Sequence, residues 1–163
     1  MNTSTVSPQA ALAPFHPATQ AWFAEAFAAP TGAQQLAWPS IASGASILLL
    51  APTGSGKTLA AFLAAIDRMM FAPAPPPAQA SSAPRGAAPR GKVRVLYISP
   101  LKALGVDVDR NLRAPLAGLR GVAEREGLAY HTPTVGIRSG DTPQAERARL
   151  QRDPPEILIT TPE

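Results

Sequence analysis

The chain has 163 residues, of which 45% are hydrophobic and 16% charged, and it contains no cysteine. That is about one domain with enough apolar side chains for a core, and it excludes a disulfide framework or a thiolate metal site. The first charged residue is Glu25, so the start lacks a secretory signal's basic stretch, and no apolar run approaches the ~20 residues that span a bilayer. The expectation is a cytoplasmic protein with no membrane partner. Between Arg85 and Arg152 there are 13 basic and 6 acidic residues, an excess of +7 against +4 for the whole chain. Such an excess suits a polyanionic partner, and equally an ordinary basic surface.

Residues 1–14 are small, polar and proline-containing, which predicts a disordered start. A first helix is expected from Pro17, where a missing N–H costs nothing, to Ala28, with Trp22, Phe23, Ala26 and Phe27 as its apolar face and Pro30 ending it. A second helix starts at Thr31-Gly-Ala-Gln34, with Thr31 as N-cap and Gln34 as its capping-box partner. Pro39 is expected to kink or restart this helix, and Gly44 to stop it.

The apolar run Ser46-Ile-Leu-Leu-Leu50 reads as a strand, and it leads into Ala51-Pro-Thr-Gly-Ser-Gly-Lys-Thr58 and a helical run to Phe71. Strand, glycine-rich turn and helix opening on Gly-Lys-Thr is the pattern of a phosphate-binding loop. Pro52, Thr53, Gly54, Ser55, Gly56, Lys57 and Thr58 are its candidate nucleotide-binding residues. Gly54 and Gly56 let the backbone curl until several N–H groups face one anion. Lys57 brings a positive charge to the outer phosphates, the Thr58 hydroxyl can sit on Mg²⁺, and the helix aims its N-terminal dipole at the phosphates. Lys57 and Thr58 are also the candidate catalytic residues. Ala51 stands where the pattern usually begins with glycine. In the following helix Leu59, Phe62, Leu63, Ile66 and Met70 keep helical spacing.

Residues 72–91 are rich in proline, alanine and serine and read as a flexible insertion with almost nothing to bury. Residues 93–99 form a β-branched strand bounded by Pro100. Helical pieces follow at 101–112 and from Pro115 to about 126, then a short strand at 134–138. Thr142-Pro143 reads as N-cap and N1 of a helix to about Arg152. Residues 156–160 are a further strand. Strands alternating with helices indicate an α/β domain with a parallel sheet.

A phosphate-binding loop alone leaves kinases, transporter ATPases, GTPases and helicases open. Four further segments narrow the choice. Pro30-Thr-Gly-Ala-Gln34 resembles the adenine-sensing glutamine motif of superfamily 2 helicases, in which the amide offers a donor and an acceptor to the base; Thr31 and Gln34 suit a capping box equally well. Pro100, Leu101 and Lys102, after one strand, resemble a motif that grips the backbone of a nucleic-acid strand. Arg138, Ser139 and Gly140, with Asp141, resemble a turn along the same track, and Thr161 and Pro162 a third contact. Each is weak alone, but their order at successive strand ends is more specific. Phe15-His-Pro17, Trp22-Phe23, the run from Ala51 to Phe62, Tyr97-Ile-Ser-Pro-Leu-Lys-Ala-Leu104, Asp109-Arg-Asn-Leu112 and Pro115-Leu116 together resemble the Lhr family of large helicase-related proteins, a resemblance that covers residues 15–163 apart from 72–91.

That resemblance implies a P-loop NTPase fold: a RecA-like parallel sheet flanked by helices, here as an incomplete first motor lobe. It implies use of ATP and Mg²⁺, 3′-to-5′ movement on single-stranded DNA, unwinding of DNA or RNA–DNA duplexes, and a part in DNA repair. The family's Asp-Glu-x-His box and second lobe are not in these 163 residues, and neither Asp107 with Asp109 nor Glu124 with Glu126 replaces the box. In such lobes the strand carrying the box lies between the phosphate-loop strand and the next. The four strands expected here therefore leave a gap in the sheet. A chain that is poorly stable and does not hydrolyse ATP alone is the expectation, with a nucleotide kinase, a transporter ATPase or a binding module without turnover as the competing readings.

Overall fold

The computed structural model describes residues 7–72, 93–100 and 102–162. They fall into two compact units, one from the segments up to Phe71 and from Asn111 to Thr132, the other from the segment before Asn111 and from Pro133 onward.

The first unit is helical. Helix α1 spans Pro8–Leu12, where a disordered start is predicted; the Ser7 side chain accepts from Ala10 N at its N-terminus, Pro8 opens its first turn, and Ala11 is buried. A cap, a proline at N1 and packing against a neighbouring helix are enough to order so short a segment. Helix α2 spans Pro17–Ala26 and stops four residues short of Pro30, with Phe27 already extended. Its N-cap is His16, whose Nδ1 accepts from Ala18 N at 3.2 Å. Helix α3 spans Gly32–Ala42, and the expected capping box is present. It runs on through Pro39: Ala37 and Trp38 beside it are buried, and Pro39 still accepts from Ser43 N at 3.1 Å. Gly44, at φ +81°, ends it: Gly44 N donates to Ile41 O and Ala45 N to Ser40 O, a Schellman pair.

Residues 45–50 form no strand. Leu48 and Leu50 are 85% and 83% exposed. High β-propensity cannot be realised without a partner strand to complete the ladder, and none pairs with this run among the described residues. Helix α4 follows at Lys57–Phe71 and buries Phe62, Leu63, Ile66 and Met70, the residues whose spacing predicts it. It packs on α3, and α3 on α1. The core of this unit is aromatic: Trp38 meets Phe15 and Phe23 edge-on at 5.0 and 5.5 Å between ring centroids, the arrangement that ring quadrupoles favour.

The second unit holds a three-stranded parallel sheet. Its strands are β1 (Val95–Ile98), β2 (Val135–Arg138) and β3 (Ile157–Thr160), in the order β1-β3-β2. Ile157 and Ile159 are buried in the central strand. Helix α5 is continuous over Lys102–Arg125 with Pro115 inside it, where two pieces are predicted. Its residues from Asn111 belong to the first unit, where Leu112, Leu119, Val122 and Ala123 are buried; that apolar stripe holds the helix together across the proline. Helix α6 spans Gln144–Arg152. Thr142 is not its cap, because its hydroxyl accepts from Ser139 N at 2.8 Å instead. The 72–91 insertion lies, but for Ala72, outside the described residues. No helix among them is long and apolar enough to cross a membrane.

Candidate phosphate-binding and nucleic-acid sites

The phosphate loop stands between α3 and α4 in the first unit. Gly54 and Gly56 have φ of +78° and +81°, a region L side chains rarely adopt. Ser55 N donates to Pro52 O at 3.4 Å, closing the turn, and Ala60 N donates to Gly56 O at 2.9 Å as the first bond of α4. Lys57 and Thr58 therefore occupy the first turn of a helix whose leading N–H groups have no helical acceptor. The Lys57 ammonium donates to Ala51 O at 2.6 Å and also to Pro52 O. Two carbonyl oxygens thus hold its charge over the loop, and a phosphate oxygen is a stronger acceptor for the same donors. Among the described residues the Ser55 hydroxyl is buried without a hydrogen-bond partner, a costly state for a polar group that a ligand oxygen would relieve.

Helix α3 is tied to this loop. Thr31 Oγ1 donates to Ser55 O at 2.8 Å and accepts from Gln34 N at 3.3 Å. Gln34 Oε1 accepts from Thr31 N at 2.9 Å, and its Nε2 donates to Gly56 O at 3.4 Å. Of the Gln34 amide's four hydrogen-bonding positions, one N–H and one lone pair remain, though the residue is 4% exposed. The capping box is thus built, and the glutamine braces the loop as well. The two Thr31 and Gln34 bonds to the loop were not legible in the sequence, since they join residues 24 and 22 positions apart.

The other candidates gather at one edge of the sheet in the second unit. In register, Ile98, Thr160 and Arg138 stand side by side at the C-terminal ends of β1, β3 and β2. Pro100, the pair Thr161 and Pro162, and the turn Ser139 to Asp141 follow directly, so the structure brings these segments together. Pro100, Arg138, Gly140 and Pro162 are exposed; the Thr161 hydroxyl is buried and has no partner among the described residues. Leu101 and the Lys102 side chain lie outside the described residues. One residue that the sequence did not mark stands here: Arg147 of α6 donates to Thr142 O, Ser139 O and Gly140 O.

The sequence profile of the DEAD/DEAH box helicase family matches residues 31–163. The Lhr helicase/probable uracil glycosylase of Mycolicibacterium smegmatis is 52% identical over the whole chain, and the Lhr helicase/uracil glycosylase of Escherichia coli is 50% identical over 91% of it. An archaeal relative, the ATP-dependent helicase Lhr-Core of Methanothermobacter thermautotrophicus, is 41% identical over 91%. The chain spans 10%, 9% and 16% of these relatives' lengths. A solved structure of the Mycobacterium smegmatis helicase Lhr bound to ssDNA and AMP-PNP superposes with a TM-score of 0.79 at 52% identity, over 93% of this chain and 17% of that one.

Proposed function

We propose, from the premise that the chain belongs to the DEAD/DEAH box helicase family, that it is the nucleotide-holding part of an ATP-dependent motor that moves on single-stranded DNA. Its α/β fold is the RecA-like fold of the Lhr helicase motor. The observation that carries the proposal is the loop: two left-handed glycines, a lysine ammonium held over the cradle and a helix N-terminus directed at it. In support, a relative 52% identical was solved with ssDNA and AMP-PNP bound.

In this reading Gly54 and Gly56 shape the cradle, and the backbone from Pro52 to Ser55 wraps the phosphates. Lys57 exchanges its two carbonyl acceptors for β- and γ-phosphate oxygens. Gln34 offers its remaining N–H and lone pair to the adenine edge. Mg²⁺ would be held here by the nucleotide's phosphates and by the Thr58 hydroxyl, which stands in the first turn of α4. The ion would supply neutralisation of phosphate charge. These 163 residues contain no Asp-Glu-x-His run, so the steps proposed for them are binding steps.

The strand ends supply the second half of the proposal. Pro100, Leu101, Lys102, Arg138, Ser139, Gly140, Thr161 and Pro162 form a track for the sugar-phosphate backbone, read without regard to base and weakened by salt. Duplex unwinding, action on RNA–DNA hybrids, 3′-to-5′ polarity and a part in DNA repair are proposed for the whole protein.

Titration with a fluorescent ATP analogue and Mg²⁺, beside anisotropy of a labelled dT15 strand, tests the reading. Lys57→Ala should lower nucleotide affinity at least about tenfold, the order expected for a charge-assisted phosphate contact, and leave binding of the bare strand unchanged. Nucleotide affinity indifferent to Lys57→Ala would overturn the loop assignment, and a chain that does not hold dT15 at low salt would overturn the track.

A further inference from the structure

We propose that Arg147 is a positioning residue, which shapes the turn from Ser139 to Thr142 so that the N–H of Gly140 faces a nucleic-acid phosphate; this rests on the reading that the turn lies on the nucleic-acid track. One guanidinium collects three backbone carbonyls. Nε donates to Thr142 O at 2.8 Å, and Nη2 donates to Ser139 O at 3.3 Å and to Gly140 O. The turn closes on itself through Thr142 N to Ser139 O at 3.1 Å and Ser139 N to Thr142 Oγ1 at 2.8 Å.

The consequence follows from the planarity of the peptide group. No peptide bond here is cis, so each carbonyl points opposite to the N–H of the next residue. Drawing the Ser139 carbonyl toward Arg147 therefore turns the N–H group of Gly140 away from it. The side opposite the guanidinium presents that N–H, a donor of the kind that receives an anion. Thr142 O belongs to the bond with Pro143, which has no N–H, so the third contact anchors the turn to the start of α6. Arg147 is half-buried and Gly140 exposed, as a clip behind an open turn requires.

A planar fork with five donors can hold three carbonyls at once, whereas a lysine ammonium is a point charge on a flexible stem. Arg147→Lys thus separates shape from charge. In the full chain, with dT15 anisotropy at fixed salt, both Arg147→Ala and Arg147→Lys should weaken strand binding by about five- to tenfold, the order of one or two lost hydrogen bonds. Affinity for a fluorescent ATP analogue should not change in either. If Arg147→Ala unfolds, Arg147→Lys carries the test. Wild-type strand affinity in Arg147→Lys would overturn the proposal in favour of simple charge. Gly140→Asp, which sets a carboxylate on the turn, marks the underlying reading. If Gly140→Asp weakens binding while both Arg147 variants bind normally, the clip is wrong and the track stands. If all three bind normally, the turn does not meet the strand at all.

Discussion

Gln34 braces the phosphate loop from outside it: its Nε2 donates to the carbonyl of Gly56 at 3.4 Å, while its Oε1 accepts from Thr31 N at 2.9 Å. With Thr31 Oγ1 donating to Ser55 O, the N-terminus of α3 becomes a wall of the loop. The same amide is proposed to read adenine, and one substitution separates the two roles. Gln34→Ala removes both the brace and the base contact, so ATP affinity should fall by roughly 1–2 kcal/mol, about five- to thirtyfold. GTP, which lacks the adenine edge, should lose only the part due to the brace. Competition of ATP and GTP against a fluorescent nucleotide reads the ratio. Equal losses for the two nucleotides would leave Gln34 a structural brace alone.

Gly56 allows a sharper prediction. An added Cβ would stand 2.5 Å from Gln34 Nε2 and 3.3 Å from Thr31 Oγ1, at a φ of +81°. Gly54 has nearly the same φ, +78°, yet nothing within 4 Å of its Cβ position. Gly54→Ala should therefore show mainly the left-handed cost of about 1–2 kcal/mol. Gly56→Ala adds the displacement of Gln34 to that cost and should bind nucleotide more weakly than Gly54→Ala. Isothermal titration of the two variants compares them directly. Equal affinities would mean that Gln34 moves aside freely and does not define the loop.

The local features were legible in the sequence, because their causes are local. A glycine-lysine-threonine turn, a capping box and helical spacing in α4 each depend on residues within one or two turns of each other. What failed has a common physical reason. The run from Ser46 to Leu50 has the composition of a strand, but a strand exists only with a partner, and none pairs with it among the described residues. Pro39 and Pro115 read as breaks, yet packing on either side outweighs one lost hydrogen bond. Thr142 read as a cap until its hydroxyl met Ser139 N. Arg147 gave no signal, because one surface arginine on a polar helix looks like any other until its carbonyl partners are known.

A small exposed network at the C-terminal end of α5 and in the loop after it has a defined pH response. Arg120 Nε and Tyr130 Oη both donate to Glu124 Oε1 at 2.8 Å. The hydrogen bond from Arg120, then that from Tyr130, hold the Glu124 carboxyl below the usual carboxylate range. The hydrogen bond to Glu124, more than burial, pushes the Tyr130 phenol up. For Glu124 a lowered folded value means that its contribution is present above the unfolded pKa and lost as pH falls through the folded one. For Tyr130 a raised value means that its contribution is present below the unfolded pKa and lost as pH rises through the folded one. Glu124 side-chain NMR titration should show an inflection below that of a free glutamate. Arg120→Ala should move the inflection upward and Tyr130→Phe should move it upward by less; an unmoved inflection in both variants would dissolve the network. Solvent screening keeps the effect on stability small.

In the helical unit Gly118 is set against Trp22. A Cβ at Gly118 would stand 2.0 Å from Trp22 Nε1 and 2.4 Å from Cδ1. Trp22 is buried and meets Phe27 edge-on at 5.7 Å between ring centroids, so its ring has little room to retreat. Two effects oppose one another in Gly118→Ala. Helix propensity favours alanine by about 1 kcal/mol, while forcing a methyl into a filled core costs about 1–3 kcal/mol and often more when a large ring must shift. At 2.0 Å the second should win. Gly121, one turn along the same helix, has nothing within 4 Å of its Cβ position, so Gly121→Ala feels the propensity alone. Thermal unfolding followed by tryptophan fluorescence should therefore show a lower midpoint for Gly118→Ala and an equal or higher one for Gly121→Ala. A stabilised Gly118→Ala would mean that α5 does not lie against Trp22.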